Sequence, residues 1–371
     1  SVLFSPLDIG PVRAPNRIAI APMCQYSAND GCASDWHLHQ LMSYAMSGAG
    51  VVTMEATGVL REGRISNGCL GLYSDECEYA LARALQAARS VAMEDTKFSI
   101  QLCHAGRKGS THKNWDGGGP LKAHEGAWTT SAPSPIPYAP DWHVPEEMSE
   151  EEIERAIAAY AQAAARAARI GFDMVELHAA HGYLIHQFHS PISNKRTDAW
   201  GGDAQKRLRF AYAVAEGVRA ATPAHMAVGA RITGTDYLED GLTVDDAVEM
   251  ARGFKARGFD YVCVSSGNII NGGRPASGPG FNVPNAAKVR AEAGIVTRTA
   301  GFIADAKQAE EIVSERGVDQ VALARAFLDD PRWGWHAAEK LGVTLKLPKQ
   351  FNRVTPKVWP GLKMAPGGQL R

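Results

Sequence analysis

The segment VELHAAHGYL, residues 175–184, places two histidines three positions apart, directly ahead of a glycine and a tyrosine. Imidazoles bind metals, donate hydrogen bonds and transfer protons near neutral pH, and a phenol can act as a general acid. His178 and His181 could therefore form part of a metal site, a hydrogen-bonding clamp for an organic substrate, or a structural contact. The spacing alone does not separate these possibilities, so the elements that position the pair have to be considered.

The bulk composition is that of an ordinary globular protein. Of its 371 residues, 45% are hydrophobic and 21% are charged, which allows a large core. The formal net charge is -1 with no long run of one sign, so electrostatics give no reason to expect nucleic acid or a membrane as a partner. No apolar stretch approaches the length of a membrane span, and residues 1–10 do not resemble an export signal. We therefore expect a cytoplasmic protein.

The six cysteines indicate neither a disulfide framework nor a cysteine-held metal cluster. They are scattered along the chain, and no two have the C-x-x-C spacing. Their positions are Cys24, Cys32, Cys69, Cys77, Cys103 and Cys263. This distribution is typical of a protein from a reducing compartment.

Short apolar runs of strand length alternate with helical patterns along the chain. The runs span residues 17–23, 50–56, 97–104, 174–178, 226–232, 261–266, 295–300 and 320–324. Most are apolar without alternation, as expected of strands that are covered on both faces. A capping box at Ser149 and Glu152 predicts the start of a helix over 150–170, and Thr243 with Asp246 predicts another helix start. Strands that alternate with helices pair in parallel.

Three junctions between helix and strand share one pattern: RIGFDMVEL (169–177), RGFDYVCV (257–264) and RGVDQVAL (316–323). A basic residue ends a helix, glycine supplies a left-handed cap, and a β-rich run follows. Eight such units predict an α/β fold of the (β/α)8 TIM barrel class, with 1–371 as a single domain. The alternative is an open doubly wound sheet, which is disfavoured because no G-x-G-x-x-G follows the first strand. Segment 115–148, after the third strand, is too long for an ordinary loop and is predicted to extend over the barrel mouth.

The metal hypothesis conflicts with the charges at the other strand ends, where barrel active sites lie. Four histidines come close together in the sequence, and imidazole is a common zinc ligand; they are His178, His181, His186 and His189. The remaining strand ends carry cations that would repel a divalent ion, namely Lys108, Arg231 and Arg325. We therefore predict no metal site.

The same cations suit a phosphorylated ligand. Barrels often bind phosphate where the loops after the seventh and eighth strands meet, and there Gly301 allows close backbone approach while Arg325 can grip phosphate oxygens. Alternatively, Arg325 could belong to a buried strand and simply extend its side chain to solvent, without binding a ligand. Its position at a strand end favours phosphate binding. Gln101 and Arg231 could contact the far end of the same ligand. A long ligand with a phosphate at one end and an electron-accepting ring at the other is flavin mononucleotide.

Taken singly, Cys24, Tyr26, His178 and Tyr183 could be ordinary buried residues; all four fall at the predicted mouth, which favours a shared function. In addition, the segment HAAHGYLIHQFHSPISNKRTDAWGG (178–202) resembles the signature of the old yellow enzyme family of flavin-dependent ene-reductases. APMCQYSA (21–28) and QLCHAGRK (101–108) resemble its thermophilic-like bacterial branch, which includes xenobiotic-reductase-type enzymes. The resemblance extends from residue 3 to residue 333.

The resemblance implies a role for each matching position. Residues that would line or hold non-covalently bound FMN are Ala21, Pro22, Met23, Cys24, Ala56, Gln101, Arg231, Gly301, Ala324 and Arg325. His178 and His181 would donate hydrogen bonds to the substrate oxygen, Tyr183 would donate a proton, and Tyr26 would shape the substrate pocket. Three departures stand out: Ala324 replaces a common glycine, Trp200 a common tyrosine, and 203–210 lacks the usual Glu-Asn-Arg run.

The resemblance further implies the reaction and its partners. NADPH or NADH would donate a hydride to flavin N5, and an α,β-unsaturated carbonyl compound, or a nitro compound, would be reduced. The tail 342–371 resembles one that contacts a neighbouring subunit, so Arg353 or Trp359 would reach the adjacent site of a homo-oligomer such as a dimer or tetramer. The rival hypotheses are a metal-dependent hydrolase on the same barrel and a flavin-binding protein, such as a sensor, without reductase activity.

Overall fold

Eight parallel strands close into a barrel at the centre of the protein, seen in a computed structural model that describes residues 1–272, 278–354 and 358–361. The strands in chain order are β1 (Leu7–Ile9), β2 (Val12–Ala14), β3 (Ile18–Ile20), β4 (Val51–Gly58), β5 (Lys97–Cys103), β6 (Ser131–Ala132), β7 (Glu146–Glu147), β8 (Met174–Ala179), β9 (Ala227–Thr233), β10 (Tyr261–Ser265), β11 (Val296–Ala300) and β12 (Gln320–Leu323). The barrel runs β3-β4-β5-β8-β9-β10-β11-β12, and β12 pairs with β3 to close it. Each of the eight predicted runs overlaps one barrel strand, so the predicted TIM barrel is confirmed.

Helices surround this barrel and connect successive strands. In chain order they are α1 (Asp35–Ala45), α2 (Asp75–Val91), α3 (Glu150–Ile170), α4 (Leu184–His189), α5 (Ala204–Ala221), α6 (Val244–Ala256), α7 (Val283–Ala293), α8 (Ala306–Ser314), α9 (Arg325–Asp329) and α10 (Trp333–Lys340). Both predicted capping boxes are present, at the start of α3 and at the start of α6. Gly171 ends α3 in the left-handed conformation, with a φ of 97°, as the repeated junction predicts.

A short N-terminal hairpin covers one end of the barrel. Strands β1 and β2 pair antiparallel, and their buried side chains form a cluster with residues at the amino-terminal ends of the barrel strands, among them Val51, Met174 and Ala227. This closure leaves the carboxyl ends of the strands as the accessible face. Chemistry in this fold collects at that face.

The barrel interior contains a buried polar network. The Glu176 carboxylate accepts hydrogen bonds from Gln101 Nε2 at 2.8 Å and from the Tyr261 hydroxyl at 3.1 Å, and Arg298 lies 3.4 Å away. The Arg298 guanidinium also donates to Gln320 Oε1 at 2.8 Å. Because each of these side chains is buried, the network is rigid and connects strands on different sides of the barrel.

The connection from β5 to α3 carries the predicted excursion 115–148. It contains short 3-10 turns and the small parallel pair β6 and β7. The Arg107 guanidinium, which is buried, donates to the carbonyls of Ile136 at 3.0 Å, Pro137 at 3.3 Å and Ile269 at 2.6 Å. These bonds join the connection to the loop after β10, at the carboxyl end of the barrel.

Candidate active site

His178, His181 and Tyr183 lie together at the carboxyl end of β8. The chain turns back there because His181 and Gly182 both adopt left-handed backbone conformations, with φ values of 57° and 74°. The turn brings His181 Nδ1 within 3.3 Å of His178 Nε2. Tyr183 follows as the residue before α4, and its ring centroid lies 4.7 Å from that of His178 in an edge-to-face contact.

The neighbouring hydrogen bonds define the donor nitrogen of His178 and the two tautomers open to His181. The Ala180 N–H donates to His178 Nδ1 at 3.3 Å, which places the His178 proton on Nε2. His181 Nε2 lies 2.5 Å from Ser265 Oγ. In one tautomer of His181, Nε2 donates to Ser265 and Nδ1 accepts from His178 Nε2. In the other, the Ser265 hydroxyl donates to Nε2, and His178 Nε2 and His181 Nδ1 both carry protons that a ligand oxygen can accept. Ser265 was missed by sequence reasoning, although a serine at the end of a barrel strand was the available signal.

Both imidazoles are neutral at pH 7 in this environment. Burial lowers the pKa of His178 and of His181, and the nearby charge of Arg231 lowers both further. Burial raises the pKa of the Tyr183 phenol, which therefore keeps its proton. The site thus presents neutral imidazole N–H donors beside a protonated phenol hydroxyl.

Lys108, which sequence reasoning noted without giving it a role, contacts the turn that carries the histidines. Its ammonium donates to the His181 carbonyl at 2.8 Å and lies 4.4 Å from the Tyr138 ring and 5.0 Å from the Tyr183 ring. Burial, and then the charge of Arg107, lower the pKa of Lys108 to about 7. Lys108 therefore supports the turn that carries the histidines and changes its charge near neutral pH.

The residues predicted to hold the polar edge of a flavin stand next to the histidines. Arg231 pairs with His178 in the register of β8 and β9, and it donates to Ser265 Oγ at 3.4 Å. Arg231 Nε is buried and has no hydrogen-bond partner among the described residues. A buried donor without a partner is costly, and the electron-rich edge of an isoalloxazine would satisfy it. Gln101 donates to Glu176 through Nε2, which leaves its Oε1 available to accept from a ligand.

The segment after β3 brings Cys24 and Tyr26 to the same end of the barrel. Tyr26 has a left-handed backbone, with a φ of 49°, and packs edge-to-face on Trp115 of the β5–α3 connection at 5.5 Å. A hydrogen bond with Cys69, followed by burial, raises the pKa of the Cys24 thiol, and the same bond lowers the pKa of Cys69 to about 7. Ala56, on β4 beside a bulge, is also buried here. Sequence reasoning did not pair Cys24 with Cys69.

Gly301 and Arg325 lie at the ends of the neighbouring strands β11 and β12, as predicted. Gly301 has a φ of 130°, and a Cβ at this position would come within 2.6 Å of the Phe281 ring, so the backbone needs glycine. Ala324 precedes α9, and Arg325, its first residue, is exposed. The Arg325 guanidinium lies 5.2 Å from the Phe302 ring. A glycine backbone beside an exposed guanidinium fits a phosphate group.

The four histidines do not form one cluster. His186 Nε2 lies 2.8 Å from Asp236 Oδ1 in a buried pair, and His186 Nδ1 accepts from the backbone N–H of Gly182. Within the described residues, no group of three or more His, Cys, Asp or Glu side chains is placed to hold a metal ion. No helix in the same residues is long and apolar enough to cross a membrane.

A barrel with these donors at its carboxyl end is the framework of a flavin-dependent oxidoreductase, and comparisons with known proteins agree. The family model described as "NADH:flavin oxidoreductase / NADH oxidase family" matches residues 2–343. An NADPH dehydrogenase of Geobacillus sp. (strain WCH70) is 39% identical over 358 residues, covering 95% of this chain and 98% of its own. One of Listeria innocua serovar 6a is 39% identical over 355 residues, covering 95% and 99%.

Solved structures show the same relationship. Morphinone reductase in complex with tetrahydroNAD superposes with a TM-score of 0.73 at 26% identity, covering 94% of this chain and 93% of that one. A 2-naphthoyl-CoA reductase complex gives a TM-score of 0.81 at 25% identity, covering 91% and 52%. The chain therefore belongs to the NADH:flavin oxidoreductase / NADH oxidase family, of the old yellow enzyme type. The predictions of an oxidoreductase with FMN and a nicotinamide electron donor are confirmed.

Proposed function

We propose that this protein reduces the activated C=C bond of α,β-unsaturated carbonyl compounds, and also nitro compounds, with NADPH or NADH as electron donor. The observation that carries the proposal is the convergence of His178 Nε2 and His181 Nδ1, 3.3 Å apart, beside the protonated Tyr183 hydroxyl. Two adjacent ring nitrogens that can both carry protons suit a single oxygen atom as their shared acceptor. The NADPH dehydrogenases among its relatives support NADPH as the donor.

The histidines would act on the carbonyl oxygen of the substrate. As the alkene accepts a hydride at its β-carbon, negative charge develops on this oxygen, and fixed donors in a buried site stabilise such charge without reorganising. Because both imidazoles are neutral, they can donate without adding positive charge beside Arg231. Bound FMN would supply the hydride chemistry, accepting a hydride from the nicotinamide and delivering it to the alkene.

Tyr183 would complete the reaction as the proton donor to the α-carbon. Its phenol stays protonated because burial raises its pKa, and it stands beside His178 at the substrate position. A positioned general acid contributes roughly 10²–10⁴-fold to rate. Tyr26, held in place by its left-handed backbone and by Trp115, would form part of the pocket wall.

The same mouth would hold FMN through three groups of residues. Gly301, Ala324 and Arg325 would bind the phosphate, and Gln101 and Arg231 the polar edge of the ring. The residues that would line the ring are Ala21, Pro22, Met23, Cys24 and Ala56. In this arrangement, the buried Arg231 Nε gains the partner that it lacks within the described residues.

We also propose that residues 1–371 form one domain, with 115–148 across the mouth, and that the enzyme is a homo-oligomer. In the tail 342–371, the exposed side chains of Arg353 and Trp359 are the candidates to reach a neighbouring site. Residues 355–357 and 362–371 of this tail lie outside the described residues.

An anaerobic titration tests the proposed function. The visible spectrum of the purified protein would be recorded alone, after NADPH, and after addition of 2-cyclohexenone. We expect flavin bands that bleach with NADPH and return with the enone. If NADPH bleaches the flavin bands but the enone does not restore them, enone reduction is contradicted, and the electron acceptor belongs to another chemical class. A protein that stays colourless after incubation with FMN would contradict the cofactor assignment.

A further inference from the structure

His186 and Asp236 form a buried pair directly behind the turn that carries the substrate histidines. Both side chains are fully buried, with no solvent exposure. His186 Nε2 lies 2.8 Å from Asp236 Oδ1, and His186 Nδ1 lies 2.8 Å from the backbone nitrogen of Gly182. Gly182 is the residue between His181 and Tyr183, so the imidazole of His186 touches the backbone of the turn itself.

The two contacts define the proton on His186. The Gly182 N–H is a donor, so Nδ1 has to accept, and the imidazole proton resides on Nε2, where it is donated to Asp236. The Thr233 hydroxyl lies 3.2 Å from Nδ1 and can donate to the same nitrogen. His186 thus accepts from the turn through Nδ1 and donates to the Asp236 carboxylate through Nε2, which connects the turn to a fixed anion.

Asp236 is held firmly enough to serve as this anchor. Its second carboxylate oxygen accepts from the Ser190 hydroxyl at 2.7 Å and from the Leu242 backbone N–H at 2.9 Å. Burial works against its charge, but His186, Leu242 and Ser190 outweigh burial, and the pKa of Asp236 is lowered. The carboxylate therefore stays ionised and keeps the His186 proton on Nε2.

The turn needs such support because its backbone is strained. His181 is a non-glycine residue with a φ of 57°, a conformation that side chains other than glycine seldom adopt. A Cβ on Gly182 would come within 2.2 Å of the Asn268 carbonyl oxygen, so this part of the turn is also tightly packed. A two-residue left-handed turn is kept only when its surroundings fix it.

We propose that His186 is a positioning residue of the active site, with Asp236 as its anchor. The Nδ1 of His186 fixes the Gly182 N–H, and this contact holds His181 and Tyr183 at the proposed substrate. His186 contacts neither substrate nor cofactor in this scheme. The inference rests on the proposed function, because it takes the His178 and His181 pair as the carbonyl site.

Two amide variants separate this role from a merely structural one. In His186→Asn, the short side chain can place an amide oxygen near the position of Nδ1, facing Gly182, but does not reach Asp236. In His186→Gln, the longer side chain can place an amide N–H near the position of Nε2, facing Asp236, but leaves the Gly182 N–H without an acceptor. Both variants are neutral amides, and they differ mainly in which of the two contacts survives.

Two quantities are measured for each variant. The first is the Kd of 2-cyclohexenone for the oxidised holoenzyme, obtained from the change in visible absorption of the flavin. The second is the melting temperature. We expect His186→Gln to weaken enone binding by about 5- to 100-fold, as expected for a buried N–H without a partner. We expect His186→Asn to bind within about threefold of the wild type although it melts at a lower temperature than His186→Gln. Affinity and stability should therefore rank the two variants in opposite orders.

Other outcomes have defined meanings. If His186→Gln binds the enone as tightly as the wild type, or if affinity follows melting temperature in both variants, the positioning role is wrong. If both variants lose FMN or fail to fold, Asp236→Asn keeps His186 but replaces the anionic acceptor with an amide that can donate to Nε2, which moves the imidazole proton to Nδ1, where it opposes the Gly182 N–H. An unchanged Kd in Asp236→Asn then overturns the proposal. If the wild type itself neither binds nor reduces enones, the proposed function fails instead.

Discussion

The substrate end and the phosphate end of the barrel mouth are organised in different ways. At the substrate end, formed by His178, His181 and Tyr183, both imidazoles have hydrogen-bond partners, and His186 supports the turn at His181 and Gly182 from behind. At the phosphate end, formed by Gly301, Ala324 and Arg325, the arginine is exposed, and its guanidinium lies over the Phe302 ring.

The chemistry of the two proposed ligands explains this contrast. A carbonyl oxygen is neutral before reaction and interacts weakly, so it cannot organise the donors that stabilise its later charge. These donors have to be fixed in advance. A phosphate dianion binds strongly enough to order a flexible guanidinium when it arrives. The fold therefore supplies a buried network at the substrate end, and a glycine backbone with an exposed arginine at the phosphate end.

Two adjacent serines, Ser265 and Ser266, contact different ends of the mouth. Ser265 Oγ contacts His181 Nε2 at the substrate end. Ser266 Oγ donates to the Asn282 side chain at 2.7 Å, and Asn282 in turn donates to the Ala300 carbonyl at 2.7 Å, next to Gly301. The end of β10 thus supports the substrate end through one residue and the phosphate end through the next.

The largest effect is expected when the substrate end loses a donor. His178→Ala should slow the reoxidation of reduced enzyme by 2-cyclohexenone about 10²–10³-fold, because one of two fixed donors to the developing oxyanion is gone. Stopped-flow absorbance of the flavin measures this step, with FMN content checked for each variant.

Tyr183→Phe is the matched control for this variant. It keeps both imidazoles and removes only the hydroxyl, so we expect enone binding close to that of the wild type with slow turnover. His178→Ala should instead weaken binding and turnover together. Unchanged enone binding and turnover in His178→Ala would show that His178 does not contact the carbonyl.

A smaller effect, on the cofactor, is expected at the phosphate end. Arg325→Ala should weaken FMN binding by about 10- to 100-fold, since a charge-assisted bond to phosphate is lost. The Kd can be measured by fluorescence titration of apoprotein with FMN, and riboflavin serves as the ligand without a phosphate. Arg332→Ala is the matched control, because this exposed arginine stacks on Trp335 and lies outside the strand end. Equal loss for FMN and riboflavin would place Arg325 away from the phosphate.

The paired serines provide a sharper test with smaller effects. Ser265→Ala should weaken 2-cyclohexenone binding by about three- to tenfold, because the His181 tautomer that donates through Nδ1 is stabilised when the Ser265 hydroxyl donates to Nε2, and should leave FMN affinity unchanged. Ser266→Ala should weaken FMN binding by a similar factor and leave enone binding unchanged. The same two titrations measure both variants. If both serines affect the same ligand, the division between the two ends is wrong.

The barrel could be predicted from the sequence because its strands are continuously apolar and its junctions repeat the same glycine cap. Once the barrel was predicted, residues such as His178, Arg231 and Arg325 could be assigned to the mouth, because active sites of this fold lie at the carboxyl ends of the strands. What could not be predicted were contacts between residues distant in the chain. Ser265 meets His181 across 84 positions, and Asp236 meets His186 across 50. The histidine spacing also suggested one cluster, whereas His186 pairs with Asp236 and accepts from the Gly182 backbone.

The smallest expected effect concerns pH and Lys108, which supports the substrate end from the β5–α3 connection. Its pKa is lowered from the ordinary lysine value of 10.5 to about 7 by burial and by Arg107. Between these two pH values the unfolded chain binds the proton more strongly than the folded protein, so this residue makes folding more favourable as pH rises from 7 toward 10.5.

We therefore expect the free energy of unfolding of the wild type, minus that of Lys108→Met, to increase with pH across this window. The slope is at most about 1.4 kcal/mol per pH unit, and a half-buried side chain should give less. Urea titrations at pH 7, 8 and 9 with saturating FMN measure the difference, with the exposed Lys122→Met as control. A difference that is flat or falls with pH would mean that Lys108 keeps its charge in the folded site. The substrate end would then hold two permanent cations, Lys108 and Arg231. The histidines, being neutral, would add no further positive charge to them.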